Sequence, residues 1–157
     1  YFAVSSVGAD PIDGGRTVVT GRWAEALEDR LARGGSIRCE VVTPARFGEE
    51  MVEKLLWSCA LGVLCERHGC TVGAVVSEHR ADLDNLAAEL ARVCEQALPP
   101  LELPAGLADR LAEYSLTIRD YRAAVKEWPW RNGWLLDQER SPLHTAWMQD
   151  LGHLPAP

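Results

Sequence analysis

The stretch that decides the fold is Glu50-Met-Val-Glu-Lys-Leu-Leu-Trp-Ser-Cys-Ala60, which continues without a charged residue to Cys65. It predicts a helix over residues 47 to about 66 that is apolar on most sides through its middle, as is typical of the central helix of a bundle. The uncharged run over residues 55–65 is about half as long as the roughly 20 residues that a membrane-spanning helix needs. We therefore expect a buried core helix and no transmembrane segment.

A second segment also sets a charged residue against dense apolar surface: Val125-Lys-Glu-Trp-Pro-Trp-Arg-Asn-Gly-Trp-Leu-Leu136. Burying an ammonium or a carboxylate is unfavourable unless the charge is paired, so ionisable groups at the rim of an apolar element are candidate site residues. Lys54 in the first segment and Glu127 in the second are the two charges of this kind that require an explanation.

The composition is that of a folded, acidic protein. Apolar residues make up 47% and charged residues 25% of the chain, and 16 basic against 23 acidic residues give a net charge of −7. This charge disfavours binding to nucleic acid or anionic lipid. Five cysteines, an odd number, suit free thiols in a reducing compartment. We therefore expect protein or small-molecule partners and a location in the cytosol, a plastid or the mitochondrial matrix.

The character of the chain changes near residue 43. Before it, the pattern predicts strands and one helix in the order β-β-α-β, over residues 2–7, 16–20, 21–33 and 36–42. A segment this small cannot bury both faces of a sheet unaided, so strands from elsewhere are expected to complete it. The start at Tyr1, without a visible signal peptide, fits either a processed product or part of a longer gene product.

After residue 43 the pattern is helical. Ser77 is predicted to cap a second helix, and an apolar stripe over residues 107–125 predicts a third. Pro129 is expected to break or restart that helix, because it lacks an N–H and disfavours helical geometry at the preceding residue. Residues 132–138 predict another helix, followed by a short tail after Ser141. The predicted domains are residues 1–43 and an all-helical domain over residues 44–157.

In this order and spacing, four features resemble the ketopantoate reductase family: the end of a nucleotide-binding fold, the EMVEKLLWSCALGVL helix, a CTVGAVVSEH turn and an E-x-x-x-x-N-G-W-L-L ending. The resemblance covers most of the chain from about residue 36 to 140, and residues 1–35 match the end of the family's NADP-binding domain more loosely. It implies a mainly α fold, with a helical bundle like the C-terminal domain of ketopantoate reductase. A small β-β-α-β remnant of a Rossmann-like domain would precede the bundle.

The family carries its catalytic lysine on the first long helix, at the position of Lys54 here. The resemblance implies that Lys54 donates a proton to a substrate ketone while NADPH delivers hydride, since an ammonium both polarises a carbonyl and supplies a proton. It implies that Glu127, five residues before Asn132, holds the substrate and assists the lysine. Ser115 matches the serine that contacts the substrate carboxylate.

Simpler structural roles are open for the same residues. Lys54 can snorkel from an apolar helix or pair with Glu50. Glu127 can be a surface carboxylate paired with a neighbouring base such as Arg131. Ser115 can be an ordinary polar helix residue. The catalytic interpretation therefore depends on the joint spacing of the three residues.

Two departures from the family fall on the helical face of Lys54. Where the family places asparagines 4 and 8 residues after the lysine, this chain has Ser58 and Gly62. Ser58 remains a candidate substrate-binding residue, but Gly62 offers no side-chain hydrogen bond, and each unmet polar group of a substrate costs on the order of 1 to 3 kcal/mol. Recognition of pantoate itself is therefore not expected.

The cofactor turn of the family is missing from this sequence. The family binds NADP through a G-x-G-x-x-G turn, and no G-x-G occurs among the 13 glycines. No cofactor-binding residue is therefore predicted in this chain alone, and NADP is expected only if a missing Rossmann half exists. Two functions follow: a catalytically degenerate subunit of a larger, organellar or other complex, or the C-terminal portion of an active NADPH-dependent reductase of a 2-oxo acid such as ketopantoate.

A cluster of cysteines and histidines near the end of the first long helix could be interpreted as a metal site. Cys65, His68 and Cys70 could be three zinc ligands, with His79 or Cys94 as the fourth. Their spacing matches no standard pattern, and no metal site is predicted.

Three tryptophans surround Pro129 and could pack in the core or at an interface, where tryptophan is enriched. Trp128, Trp130 and Trp134 are therefore the predicted contacts for a protein partner. A base-stacking role is disfavoured by the acidic chain.

Overall fold

The fold is mainly α, as predicted. The structure is a computed structural model that describes residues 2–3, 7–35 and 37–156. Within these ranges it has 61% helix, in seven helices, and few strands. Contacts within the chain divide it into two compact units, Tyr1–Met51 and Val52–Pro157. The sequence predicts a boundary at residue 43, and the division falls inside the long central helix.

The first unit, called the N-terminal unit, contains two small sheets of opposite kind. β1 (Phe2–Ala3) pairs antiparallel with β2 (Ile12–Asp13), and β3 (Thr17–Val19) pairs parallel with β4 (Cys39–Val41). α1 (Ala24–Gly34) connects the parallel pair, so that β3, α1 and β4 form a β-α-β unit. The prediction missed β2, because its residues lie in a segment rich in turn-forming residues.

Two of the predicted strands include residues outside the described part of the chain. Residues 4–6 of the strand predicted over 2–7, and Ser36 of the strand predicted over 36–42, lie outside the described part of the chain. α1 ends at Gly35, whose φ of 70° is in the left-handed region that glycine adopts without steric cost. The Gly35 N–H donates to the carbonyls of Leu31 and Ala32, which terminates the helix.

The second unit, called the helical unit, is built around two helices. The remaining elements are α2 (Pro44–His68), α3 (Val72–Glu78), α4 (Arg80–Ala97), α5 (Leu107–Thr117), a 3-10 turn (Trp128–Trp130), α6 (Asn132–Gln138) and α7 (Pro142–Asp150). α4 packs against α3, α5, α6 and α7. α2 buries Leu56, Leu61 and Leu64 completely. The apolar middle of α2 therefore belongs to the core, as its sequence predicts.

Three helix boundaries differ from the prediction. Ser77 lies inside α3, and the helix that it was predicted to cap is α4, which begins at Arg80 after His79. Thr71 caps α3 with its hydroxyl oxygen. The stripe predicted as one helix as far as Val125 is helical only to Thr117. The segment after Ser141, predicted as a tail, forms α7.

Residues 118–127, called the crossing segment, leave α5 in a turn and continue without regular secondary structure. The carbonyls of Arg119 and Tyr121 accept hydrogen bonds from the amides of Gly73 (3.0 Å) and Val72 (2.9 Å). These bonds satisfy two amides in the first turn of α3, which have no partner inside the helix. The crossing segment therefore caps the start of α3 through its backbone carbonyls.

The crossing segment also lies against α2. The Val125 amide donates to the Glu66 carboxylate at 2.8 Å. A Cβ added at Gly62 would lie 2.8 Å from the Ala124 carbonyl oxygen, so glycine permits this close approach. Backbone contacts thus hold the crossing segment against α2, and helical periodicity does not reveal such contacts.

Within the described residues, no single helix is long and apolar enough to cross a membrane. α2 and α3 pass the same test only as a pair, and the two helices are bent by 79° at the break between them. The predicted absence of a transmembrane segment agrees with the first finding.

Candidate functional site

The candidate residues on α2 pass from solvent into the core within two turns. Lys54, Ser58 and Gly62 follow one another at four-residue steps and therefore share one face of the helix. Lys54 is exposed, whereas only 9% of Ser58 is accessible. Ser58 is thus mostly withdrawn from any ligand that approaches from solvent.

Backbone occupies the position at which the ketopantoate reductase resemblance implies a second asparagine. A Cβ at Gly62 would lie 2.8 Å from the carbonyl oxygen and 3.0 Å from the carbonyl carbon of Ala124. Backbone cannot swing aside as the end of a flexible side chain can. Any residue larger than glycine therefore requires the crossing segment to move.

Ser115 is fully buried, and its hydroxyl makes two hydrogen bonds. It donates to the Leu111 carbonyl at 2.8 Å and accepts from Nε1 of Trp57 at 2.9 Å. Trp57 packs edge-on against Tyr114 and stacks with Tyr121, with ring centroids 5.2 and 6.3 Å apart. In this arrangement Ser115 orients an aromatic cluster, and only one lone pair of its oxygen remains for any ligand.

Glu127 occupies an unusual backbone conformation. With φ at 53°, it is the one non-glycine residue in the described ranges that has a positive φ. Such a conformation costs on the order of 1 to 3 kcal/mol and occurs often at functional sites. Its exposed carboxylate pairs with Arg131 at 2.7 Å, which is the structural role that the sequence left open.

The contacts of Ser115 and of the crossing segment fall at different levels of α2. Ser115 contacts Trp57, which lies within one turn of Lys54. The crossing segment, which ends at Glu127, contacts Gly62 and Glu66. These positions are 8 and 12 residues beyond the lysine, about 12 and about 18 Å along the helix axis. The described contacts thus place Ser115 near the Lys54 end of α2. Glu127 instead pairs with Arg131.

The three tryptophans around Pro129 have different environments. Trp128 is half-buried and stacks with His153, with ring centroids 6.3 Å apart. A Cβ at Gly133 would lie 2.4 Å from Nε1 of Trp128, so this glycine is required by packing. Trp134 is partly buried against the core, whereas Trp130 is 77% exposed. Of the predicted partner contacts, Trp130 alone presents most of its ring to solvent.

Asn132 of the N-G-W-L-L ending has a structural partner that sequence analysis missed. Its Oδ1 lies 2.8 Å from Nε2 of His144, and both residues are buried. Burial lowers the pKa of His144 to about 4, and the charge of Glu89 opposes this effect. Glu89 also accepts hydrogen bonds from the amides of Leu143 and His144 at the start of α7. His144 is therefore a neutral core residue at neutral pH.

The three cysteines considered as zinc ligands have buried or half-buried side chains. Burial raises the pKa of Cys65 and of Cys70, and it raises the pKa of Cys94 to about 12. All five cysteines are free.

The two histidines of that set nevertheless come together with a residue that was not predicted. Among the described residues, His68, His79 and Asp82 form a cluster whose potential ligand atoms all lie within 4.8 Å of one another. Asp82 was missed because the cysteines dominate the local pattern. Histidine and aspartate three residues apart at a helix start were the signal that could have found it.

Comparison of the chain with models of protein families, with curated proteins and with solved structures found no match. The likeness to ketopantoate reductase therefore stays a prediction that depends on the motifs quoted above. The local geometry, considered by itself, supports packing roles for Ser115, Asn132 and Gly133 and an ion pair for Glu127.

Proposed function

We propose that this chain is a ketopantoate-reductase-like protein that no longer catalyses the reaction and acts as a structural or interaction subunit of a larger complex, such as an organellar assembly. The close approach of Gly62 to Ala124 carries the proposal. A substrate-binding amide at this position would collide with backbone. The space that the resemblance would assign to a polar side chain is used for packing instead.

The other implied site residues support the same conclusion. A lysine that acts as a general acid is usually activated by burial, and Lys54 is exposed. The Ser115 hydroxyl already bonds Trp57 and Leu111, and Ser58 is nearly buried. These contacts use the residues for stability and leave few groups to hold a substrate.

Trp130 is the proposed contact with a protein partner. A large aromatic ring that is exposed on a short turn binds with little loss of conformational entropy, and such rings often dominate interface energies. The partner that fits this ring has an apolar pocket.

One observation favours the second candidate function, the C-terminal portion of an active NADPH-dependent reductase of a 2-oxo acid such as ketopantoate. The parallel β3-α1-β4 unit is of a kind that occurs almost only in larger sheets with helices on both faces. In this case the NADP-binding residues would lie on a Rossmann half outside this chain. The unusual backbone of Glu127 is compatible with this function as well.

The two functions are separated by cofactor binding, turnover and the native size of the complex. In the subunit case, the protein purified from its own cells is expected to bind no NADPH in a fluorescence titration. On a native gel, Trp130→Ala should shift the complex to a smaller size. Lys54→Ala and the matched control Trp23→Ala, which removes an equally exposed ring (69%), should leave its size unchanged.

The opposite result supports the reductase. NADPH-dependent reduction of ketopantoate that falls at least 100-fold in Lys54→Ala, with an unchanged melting temperature, would contradict the subunit proposal. A monomer that neither binds NADPH nor joins a complex would contradict both functions.

A further inference from the structure

We propose that His68, His79 and Asp82 bind a divalent transition-metal ion, with zinc as the reference ion. Each of the three residues offers one ligand atom, and these atoms lie within 4.8 Å of one another. Ligands of a tetrahedral zinc ion lie about 2.0 to 2.2 Å from the metal and therefore about 3.3 Å from one another. A rotation of side chains, including the His79 ring, would bring the three ligand atoms to this spacing. The proposal is independent of the proposed function.

The proximity of the three potential ligand atoms is the main argument for a ligand. Nε2 of His68 lies 2.9 Å from Oδ2 of Asp82, and this pair needs no second histidine. Yet the His79 ring is stacked on the His68 ring, with centroids 3.6 Å apart and planes 7° from parallel. Because a metal ion lies in the plane of each imidazole that binds it, the His79 ring must turn out of this stack for both rings to bind one ion.

The backbone fixes all three ligands at helix ends. His68 is the last residue of α2, and Gly69 with φ at 61° turns the chain directly after it. His79 joins α3 to α4, and its carbonyl accepts from the Asp82 amide at 3.1 Å. Ligands held by rigid elements lose little entropy when a metal binds. A bound ion would tie the end of α2 to the junction of α3 and α4.

The charges near the cluster favour a cation. Arg80, which lies between two of the ligands in sequence, donates to Asp84 at 2.7 Å and to Asp109. Its guanidinium is therefore neutralised by carboxylates outside the cluster. Asp82 supplies the one carboxylate among the three ligands.

The donor set defines the class of metal. Two imidazoles and one carboxylate, with a further position open to water, are the ligands of many zinc sites and of non-haem iron sites. Cys70 follows His68 by two residues but does not belong to the cluster. The site therefore differs from the cysteine-based set that the sequence suggests.

The test uses the full, untagged chain after removal of metal by a chelator, with zinc chloride alone as the probe. Calorimetry should show one zinc per chain. His68→Gln, His79→Gln and Asp82→Asn should each weaken zinc binding at least about 100-fold, since loss of even an outer-shell partner costs 10- to 100-fold. Cobalt in place of zinc should give the visible absorption of a tetrahedral site in the wild type and in none of the three ligand variants.

Two control variants separate this site from general affinity for metal. His153→Gln removes a histidine that pairs with a carboxylate, Glu66, at 2.7 Å but belongs to no such cluster of described residues. Cys70→Ser removes the nearest thiol in sequence. Both variants should bind zinc as the wild type does.

Melting temperatures keep the result interpretable. Asp82→Asn is nearly isosteric, so its metal-free form should unfold close to the wild type. Zinc should raise the melting temperature of the wild type and not that of this variant. A folded wild type that binds no zinc, binding that survives all three ligand substitutions, or binding that is lost in Cys70→Ser would each overturn the proposal.

Discussion

The helical unit and the N-terminal unit bury apolar surface to very different extents. In the described part of the chain, the large side chains that are fully buried all lie in the helical unit. The N-terminal unit buries only Ala24 and Ile37 among its described apolar residues, and it leaves Trp23 and Ile12 69% and 62% exposed. One unit therefore has a core of its own, whereas the other has mainly short strand pairs and ion pairs.

This difference shows where the stability of the chain originates. Burial of apolar side chains contributes most of the free energy of folding, whereas exposed ion pairs such as Arg33 with Asp29 contribute little. Two-stranded sheets are marginal by themselves. We therefore expect the helical unit to dominate cooperative unfolding. The N-terminal unit needs further strands to reach comparable stability.

The strongest test compares one buried and one exposed side chain. Leu61→Ala removes a fully buried residue of α2 and should lower the free energy of unfolding by about 2 to 5 kcal/mol. Trp23→Ala, in the N-terminal unit, should change it by about 0.5 kcal/mol or less. Urea unfolding followed by circular dichroism measures both. Similar losses in the two variants would refute the contrast between the units.

The second test uses pH, because the two units respond in different ranges. Burial lowers the pKa of His144 from 6.5 to about 4, so the unfolded chain binds more protons between these values. The contribution of His144 to the free energy of unfolding is therefore complete above about pH 6.5. It is lost progressively down to about pH 4, by about 3 kcal/mol in total.

In the N-terminal unit, hydrogen bonds from the Gly15 and Arg38 amides lower the pKa of Asp13, so its contribution is lost only in more acidic solution. His144→Asn, which cannot titrate, should flatten the dependence between pH 4 and 6.5, as measured by urea midpoints. A slope that persists unchanged in this variant would assign the effect to another group.

The third test compares two glycines of the same helix. Gly62→Ala, in the helical unit, places a Cβ against the Ala124 backbone and should destabilise the protein by about 1 to 3 kcal/mol. Gly48→Ala, in the N-terminal unit, meets nothing within 4 Å and should stabilise it by up to about 1 kcal/mol. Thermal unfolding checks both signs. If Gly62→Ala left the stability unchanged, the argument that close packing at Gly62 excludes a substrate-binding side chain would also be weakened.

Local pattern predicted those parts of the fold that local contacts determine. The apolar middle of α2 and the helix over residues 132–138 are present as expected. The third helix was predicted too long, because Ile118 and Val125 continue the apolar period of α5 but pack from a segment without helical structure. That segment is held by backbone contacts with Gly62 and Gly73, which no periodicity reports.

The candidate site was less predictable because its partners are far apart in sequence. The bond from Trp57 to Ser115 joins two helices, and the contact of Asn132 with His144 joins two others. The ion pair of Glu127 with Arg131 lies within one turn, and the sequence suggested it as an alternative. Short-range pairs could thus be read from the chain, whereas long-range roles required the fold.

The Glu66 carboxylate couples two parts of the helical unit thermodynamically. One of its oxygens accepts the Val125 amide of the crossing segment at 2.8 Å, and the other lies 2.7 Å from Nε2 of His153 near the end of the chain. Because both partners share one side chain, their contributions to stability are not additive. A change in the position of the crossing segment therefore affects the C-terminal residues through this shared carboxylate.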